Sequence, residues 1–231
     1  TLNTGPSSGY PVYGNVRVGE LVTDESKPWL FTAYNEESCV DPTVAEHIDW
    51  NLDFGEILAA CPRRPAGSPS IAPVPDGAVV DTNYVLSRGG VFADPLNITG
   101  QPGASFEVRS VGYPGGVVYS SGNLNIQAGD FSGAGEKYIY CEGDLTVSSV
   151  ELNNFTVYCG GDLTVSHGSF GVGELYCAGS ITMYSAGTID CNLYAGGDVT
   201  IYGGSFGQSM YCGGSFRCGG LGISEGVIYA E

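Results

Sequence analysis

Residues 158–175 read YCGGDLTVSHGSFGVGEL, and the flanking stretches repeat the line: YCEGDLTVSSVELNNFTV at 140–157 and YCAGSITMYSAGTIDCNL at 176–193. Aligned on the tyrosine, the chain gives one column of Tyr119, Tyr140, Tyr158, Tyr176, Tyr194, Tyr211 and Tyr229. The steps between them are 21, 18, 18, 18, 17 and 18 residues by subtraction. A fixed short period marks a repeat architecture, in which no single unit can bury its apolar face alone.

Within each period an alternating run follows the tyrosine: Asp144-Leu145-Thr146-Val147, Asp162-Leu163-Thr164-Val165, Ser180-Ile181-Thr182-Met183, Asp198-Val199-Thr200-Ile201 and Ser215-Phe216-Arg217-Cys218. Alternation of polar and apolar residues is the signal of a strand with one buried face. It points Leu145 and Val147 inward and Asp144 and Thr146 outward. A second apolar run closes each period: Phe155 and Val157, Phe170 and Val172, Ile189 and Cys191, Leu221 and Ile223. Glycines separate the runs, where corners need positive φ. No period has room for a useful helix. The predicted fold is therefore all-β: a parallel β-solenoid of about six to seven coils, each two or three short strands stacked on the next.

Residues 102–231 carry the clear repeats, and the solenoid is expected to span 81–231. Residues 1–80 read as an irregular capping region: a Gly/Pro/Ser-rich arm, a disulfide between Cys39 and Cys61, one short helix at Pro42–Leu58, and a proline-rich linker at 62–77. The segments AVVDTNYVL (78–86) and GGVFADPLNIT (89–99) read as strands that enter or cap the coil stack.

Composition bounds the partners. The chain has 231 residues, 37 of them glycine, with 42% hydrophobic and only 14% charged residues. Asp plus Glu number 25 against 8 Lys plus Arg, a net charge of −17. Such a surface repels nucleic acid, which is bound through basic groups. No apolar run approaches the ~18 residues of a transmembrane helix. Eight cysteines, the sequons at Asn97 and Asn154, and a start at Thr1 without methionine lean towards an extracellular or cell-surface protein from which a leader has been removed.

Four columns are candidates for function. The tyrosines predict a stacked ladder, chiefly architectural, with a carbohydrate or assembly surface as the alternative. Cys141, Cys159, Cys177 and Cys212, with Ala195 in the same column, read as compact core residues, and disulfides between neighbours as the alternative. Cys191 and Cys218 read as core too. Thr146, Thr164, Thr182 and Thr200 form an outward file that could contact glycan or ice. Asp144, Asp162 and Asp198 form an acidic file beside it. Stacked like charges repel, so either Ca²⁺, which takes oxygen ligands, or backbone hydrogen bonds must offset that cost. The plain alternative for both files is strand propensity and turn chemistry.

Catalysis has no motif. The two histidines, His47 and His167, are far apart, and no nucleophile elbow, P-loop or zincin signature occurs. A carbohydrate-active β-helix enzyme is the third-ranked reading. The chain stops at Tyr229-Ala230-Glu231, where another coil would begin, which predicts an open edge for head-to-tail homopolymerisation. The arm at 1–14 would lock onto a neighbour. The lines GGDLTVSHGS and GGDVTIYGGS, over roughly 102–231, resemble bactofilins, short-coil β-helix proteins that polymerise end to end. That resemblance implies end-to-end assembly; the cysteines, the tyrosine column and the long N-terminal region depart from it. The leading expectation is a non-enzymatic, self-assembling subunit of an extracellular filament or surface layer, with an adhesin or binding module second.

Overall fold

The computed structural model describes residues 71, 73–89, 97–109, 112, 115–127, 129–131, 135–184, 186–223 and 227–230, with the backbone of three strands at 2–4, 15–18 and 21–22. Cys39, Cys61 and the helix expected at Pro42–Leu58 lie outside the described residues. Every strand pairing among the described residues is parallel, in a twelve-stranded and a nine-stranded sheet. The chain is an all-β parallel solenoid.

Residues 163–177 show how one coil is built. Strand β13 (Leu163–Phe170) alternates, with Leu163 and Val165 buried. His167 then turns the strand with φ of 58°, and Phe170 returns to the core. Strand β14 (Gly173–Cys177) lies on the nine-stranded sheet and buries Leu175 and Cys177. Ser149 (φ 54°) and Gly203 (φ 81°) bend the equivalent strands β11 (Leu145–Leu152) and β18 (Val199–Phe206). The pairing skips these bends and resumes beyond them, as at Ser148↔Ser166 and Val150↔Gly168. One expected core residue, Val172, is 67% exposed. It sits in the corner between Phe170 and Gly173, where the alternation is broken.

The first rung comes from residues 71–80. Val74 bridges Gly100, and strand β4 (Val79–Val80) pairs with β6 (Phe106–Arg109). Ile71 and Val74 are buried, so the stack takes in residues assigned above to the linker. The strand expected over 78–86 stops at Val80. Asp81 then caps a short helix, α1 (Thr82–Ser87), by accepting the Tyr84 amide at 2.8 Å. An Asp at that point satisfies an orphan helix N–H, and the helix packs through Val85, which is fully buried.

The far end overturns the expectation of an open coil edge at Tyr229, Ala230 and Glu231. Strand β2 (Asn15–Val18) pairs with β21 (Val227–Ala230), placing Arg17 beside Tyr229 and Val18 beside Ala230. Strand β1 (Leu2–Thr4) pairs with β20 (Phe216–Ile223), and β3 (Leu21–Val22) pairs with β1. The N-terminal arm thus adds a coil to its own chain. An unpaired strand edge takes an in-register partner wherever one is tethered nearby. Glu231 lies outside the described residues.

Candidate functional surfaces

The acidic file is a hydrogen-bond ladder. Oδ1 of Asp144 accepts the Asp162 amide at 3.0 Å, and Oδ1 of Asp162 accepts the Ser180 amide at 2.8 Å. Oγ of Ser180 accepts from Asp198 at 3.3 Å, and Oδ1 of Asp198 accepts from Ser215 at 2.8 Å. The ladder also runs the other way, through Asn123 and Ser105 to Asp76. Each short acceptor satisfies the corner amide of the next coil, which a tight turn would leave unpaired. Of the two offsets open in the sequence, the structure shows the hydrogen bonds. Among the described residues, no group of three or more His, Cys, Asp or Glu side chains is placed to hold a metal ion.

The same ladder explains the glycine before Asp144, Asp162, Ser180 and Asp198. A Cβ at Gly161 would collide with Oδ1 of Asp144, and one at Gly179 with Oδ1 of Asp162. Asp198 and Gly214 stand in the same relation. Gly161→Ala is therefore expected to displace the Asp144 carboxylate, break its bond to the Asp162 amide and cost about 1–3 kcal/mol. Denaturant midpoints of Gly161→Ala and wild type check this; equal midpoints would show that the ladder carries no stability.

The cysteine column lines the inside of the next corner. The Cys141 Sγ lies 3.2–3.3 Å from the carbonyls of Gly122, Gly143 and Asp144. Cys159 and Cys212 make the same three-carbonyl contact one and four coils on. Ser120 occupies the position one coil earlier and donates to Ala104 at 3.0 Å. The column therefore selects a small residue, and where that residue is Ser or Cys its side chain meets the corner carbonyls; Ala195 and Ala230 fill the same position without donating. The six described cysteines are free thiols, and all are buried.

Burial pushes the Cys141 and Cys191 thiols up to about 12 and Cys218 to about 11. Burial also pushes the Tyr176 and Tyr194 phenols up to about 12, with Glu174 adding to it. A raised folded-state pKa means that the unfolded chain releases its protons first. These groups therefore contribute stability in full below about pH 8.5, the unfolded thiol value, and lose it as pH rises towards 12. Thermal melts should hold level up to about pH 8 and fall steeply above pH 9. A melting temperature flat to pH 11 would contradict this.

The seven tyrosines stand in register on the outer face of the nine-stranded sheet. They lie within the strands; the corner itself belongs to the next residue, Cys or its substitute. From Tyr158 to Tyr229 the ring centroids are 4.8–5.1 Å apart and the planes lie within 10° of parallel. Tyr176, Tyr194 and Tyr211 each spend both ring faces on their neighbours. Stacking contributes about 0.5–1.5 kcal/mol per pair. Open ring faces, on which a sugar could lie flat, are therefore not available at these three tyrosines. Tyr140 is 2% exposed, covered by Tyr119, Tyr138, Tyr158 and Val117.

On the other sheet, Thr146, Thr164, Thr182 and Thr200 form an unbroken outward file, preceded by Glu107 and Asn125 and followed by Arg217. Two residues on, Tyr184 and Tyr202 stack at 5.4 Å, each about half exposed. A groove of about 440 Å³ opens where the file begins, lined by Glu107, Asn123, Asn125, Asp144 and Thr146 among others. Oδ1 of Asn125 is buried without a hydrogen-bond partner. Arg109 pairs with Glu107 at 2.8 Å beside the groove.

Two buried polar residues, Lys137 and the sequon residue Asn97, have structural roles that the sequence does not announce. Lys137 is fully buried, and its Nζ donates to the carbonyls of Gly135 and Asn153 at 2.8 Å each. Asn97 is 1% exposed, with Oδ1 accepting the Val117 amide, so its sequon is enclosed by the fold. His167 serves as a bend residue. The chain matches no family model, no curated protein and no solved structure. The likeness to bactofilins thus rests on the glycine punctuation alone. Among the described residues no helix is long and apolar enough to cross a membrane.

Proposed function

We propose that the protein is a non-catalytic structural subunit that self-associates along its solenoid axis, in an extracellular filament or surface layer. One observation carries this reading. Residues 2–4 and 15–18 pair in register with β20 and β21, so the end of the stack accepts a coil that is not its continuation in sequence. A stack that accepts one such coil offers a surface on which further coils can be added, as in the bactofilin-like end-to-end assembly that the repeats suggest. The strongly acidic composition and the buried thiols suit a soluble subunit with a chemically inert core. Multi-angle light scattering and electron microscopy of the full chain over a wide concentration range test the proposal. Growing oligomers or filaments are expected; a monodisperse monomer at the highest concentration sinks it.

The second reading is a binding module for a polyhydroxylated ligand such as a glycan, or for ice, on the threonine face. The groove with its unpartnered Asn125 acceptor, and the exposed Tyr184–Tyr202 pair, favour it. Bulky replacements at Thr164 and Thr182 separate the two readings: they would abolish ligand binding and leave assembly intact.

A further inference from the structure

We propose that strands β1, β2 and β3, at residues 2–4, 15–18 and 21–22, form an exchangeable coil, which in the assembled protein stacks on a second copy of this chain instead of on its own. The inference rests on the self-association reading and names its contact: the coil of one copy against β20 and β21 of the next.

The three strands span one repeat by their own pairing. β1 and β3 pair with each other at Leu2↔Leu21, a step of 19 residues, and β2 lies between them in sequence on the other sheet. Leu2, Asn3 and Thr4 align with Phe216, Arg217 and Cys218. This coil comes first in the sequence, yet among the described strands it lies at the far end of the stack, beyond β20. The first rung in space belongs to residues 71–80. From β4 to β20 the large sheet runs through eight strands, counting both, and so seven steps. At ~4.8 Å per step that is about 34 Å. In the closed single chain, residues 23–70 must therefore connect opposite ends of the solenoid.

The exchanged arrangement removes that crossing. Set the coil of one copy on β20 and β21 of another, with the copies head to tail. The coil then sits at the junction where its own chain begins residues 71–80. The order of elements along the stack becomes the order along the sequence, which is the common arrangement of consecutive elements. The 48 residues at 23–70 reach at most about 160 Å, so either closure is within their span. The pairing of the coil with β20 and β21, already made within one chain, is made between two, which is how domain swapping works; the contact of the coil with residues 71–80 of its own chain is the one that exchange adds.

The test uses the full chain with Asn3→Cys and Arg217→Cys, register partners of which Arg217 is exposed, prepared once at natural abundance and once in heavy nitrogen. The two preparations are mixed unfolded, refolded together, concentrated and treated with a short bis-maleimide. Peptides joined between positions 3 and 217 are then read by mass. In the assembled fraction, about half of these peptides are expected to join a light and a heavy half, the random-pairing value for exchange between copies. In a dilute monomeric fraction they should be unmixed. Unmixed peptides in the assembled fraction would overturn the exchange and leave self-association standing. A monomer at every concentration overturns both. A second pair, Arg17→Cys with Tyr229→Cys, repeats the measurement should the first disturb folding; absence of both links would overturn the coil's pairing itself.

Discussion

Ile181→Asp is expected to unfold the solenoid, while Thr182→Asp, one residue along, should leave it folded. Ile181 is fully buried and lies in register between Leu163 and Val199. A carboxylate there has no partner, and an uncompensated buried charge costs roughly 3–5 kcal/mol. Natural domains hold only about 5–15 kcal/mol in total. In a stack, each coil is stabilised mainly by its neighbours, so a failed middle coil also removes the interface for both halves. Thr182 sits on the outer face between Thr164 and Thr200. An Asp there loses strand propensity, an effect of at most about 1 kcal/mol. Circular dichroism and urea unfolding of the pair decide the matter. Similar midpoints for the two variants would contradict the inward and outward assignment on which the whole fold rests.

The second large effect is expected from Lys137→Ala, about 3–5 kcal/mol, the sum of two lost charge-assisted hydrogen bonds and a core void. Lys137 takes the inward position that Phe155 takes on the next coil. Its Nζ serves the carbonyls of Gly135 and Asn153. Truncation leaves both acceptors without this donor and empties the volume of the stem. For a chain of this size the loss corresponds to roughly 6–20 °C in melting temperature. Lys137→Met keeps the stem and removes only the donor, so it should fall between wild type and alanine. If alanine and methionine melt together, the hydrogen bonds carry the effect; if alanine melts with wild type, the residue has no structural role.

Much of the fold was legible from side-chain periodicity. The 18-residue beat gave the register, because a parallel stack places equivalent residues on one another, and Tyr158↔Tyr176 and Thr164↔Thr182 follow directly. Where two periods overlap, the reading weakened. Val172 belongs to a corner, and there alternation says nothing about direction. The 78–86 stretch was read as strand from its valines, but the Asp81 side chain outweighed propensity by capping a helix. The candidate surfaces were legible as columns only. The acid file gave its positions, but its purpose depends on an amide one coil away. Lys137 carries no signal in the sequence, since nothing local tells a buried lysine from an exposed one.

The repeat by itself determined the architecture, the identity of the core and the in-register ladders, because these depend on the side-chain alternation of a strand and on a constant period. Tertiary structure alone decided what ends the stack. Residues 1–22 carry a few alternating positions too short to announce a coil, and the pairing of Arg17 with Tyr229 spans 212 residues, by subtraction of the two positions. Strand pairing is a relation between backbones. Which edges meet is set by which of them the rest of the fold leaves open, and no local pattern in residues 1–22 records that.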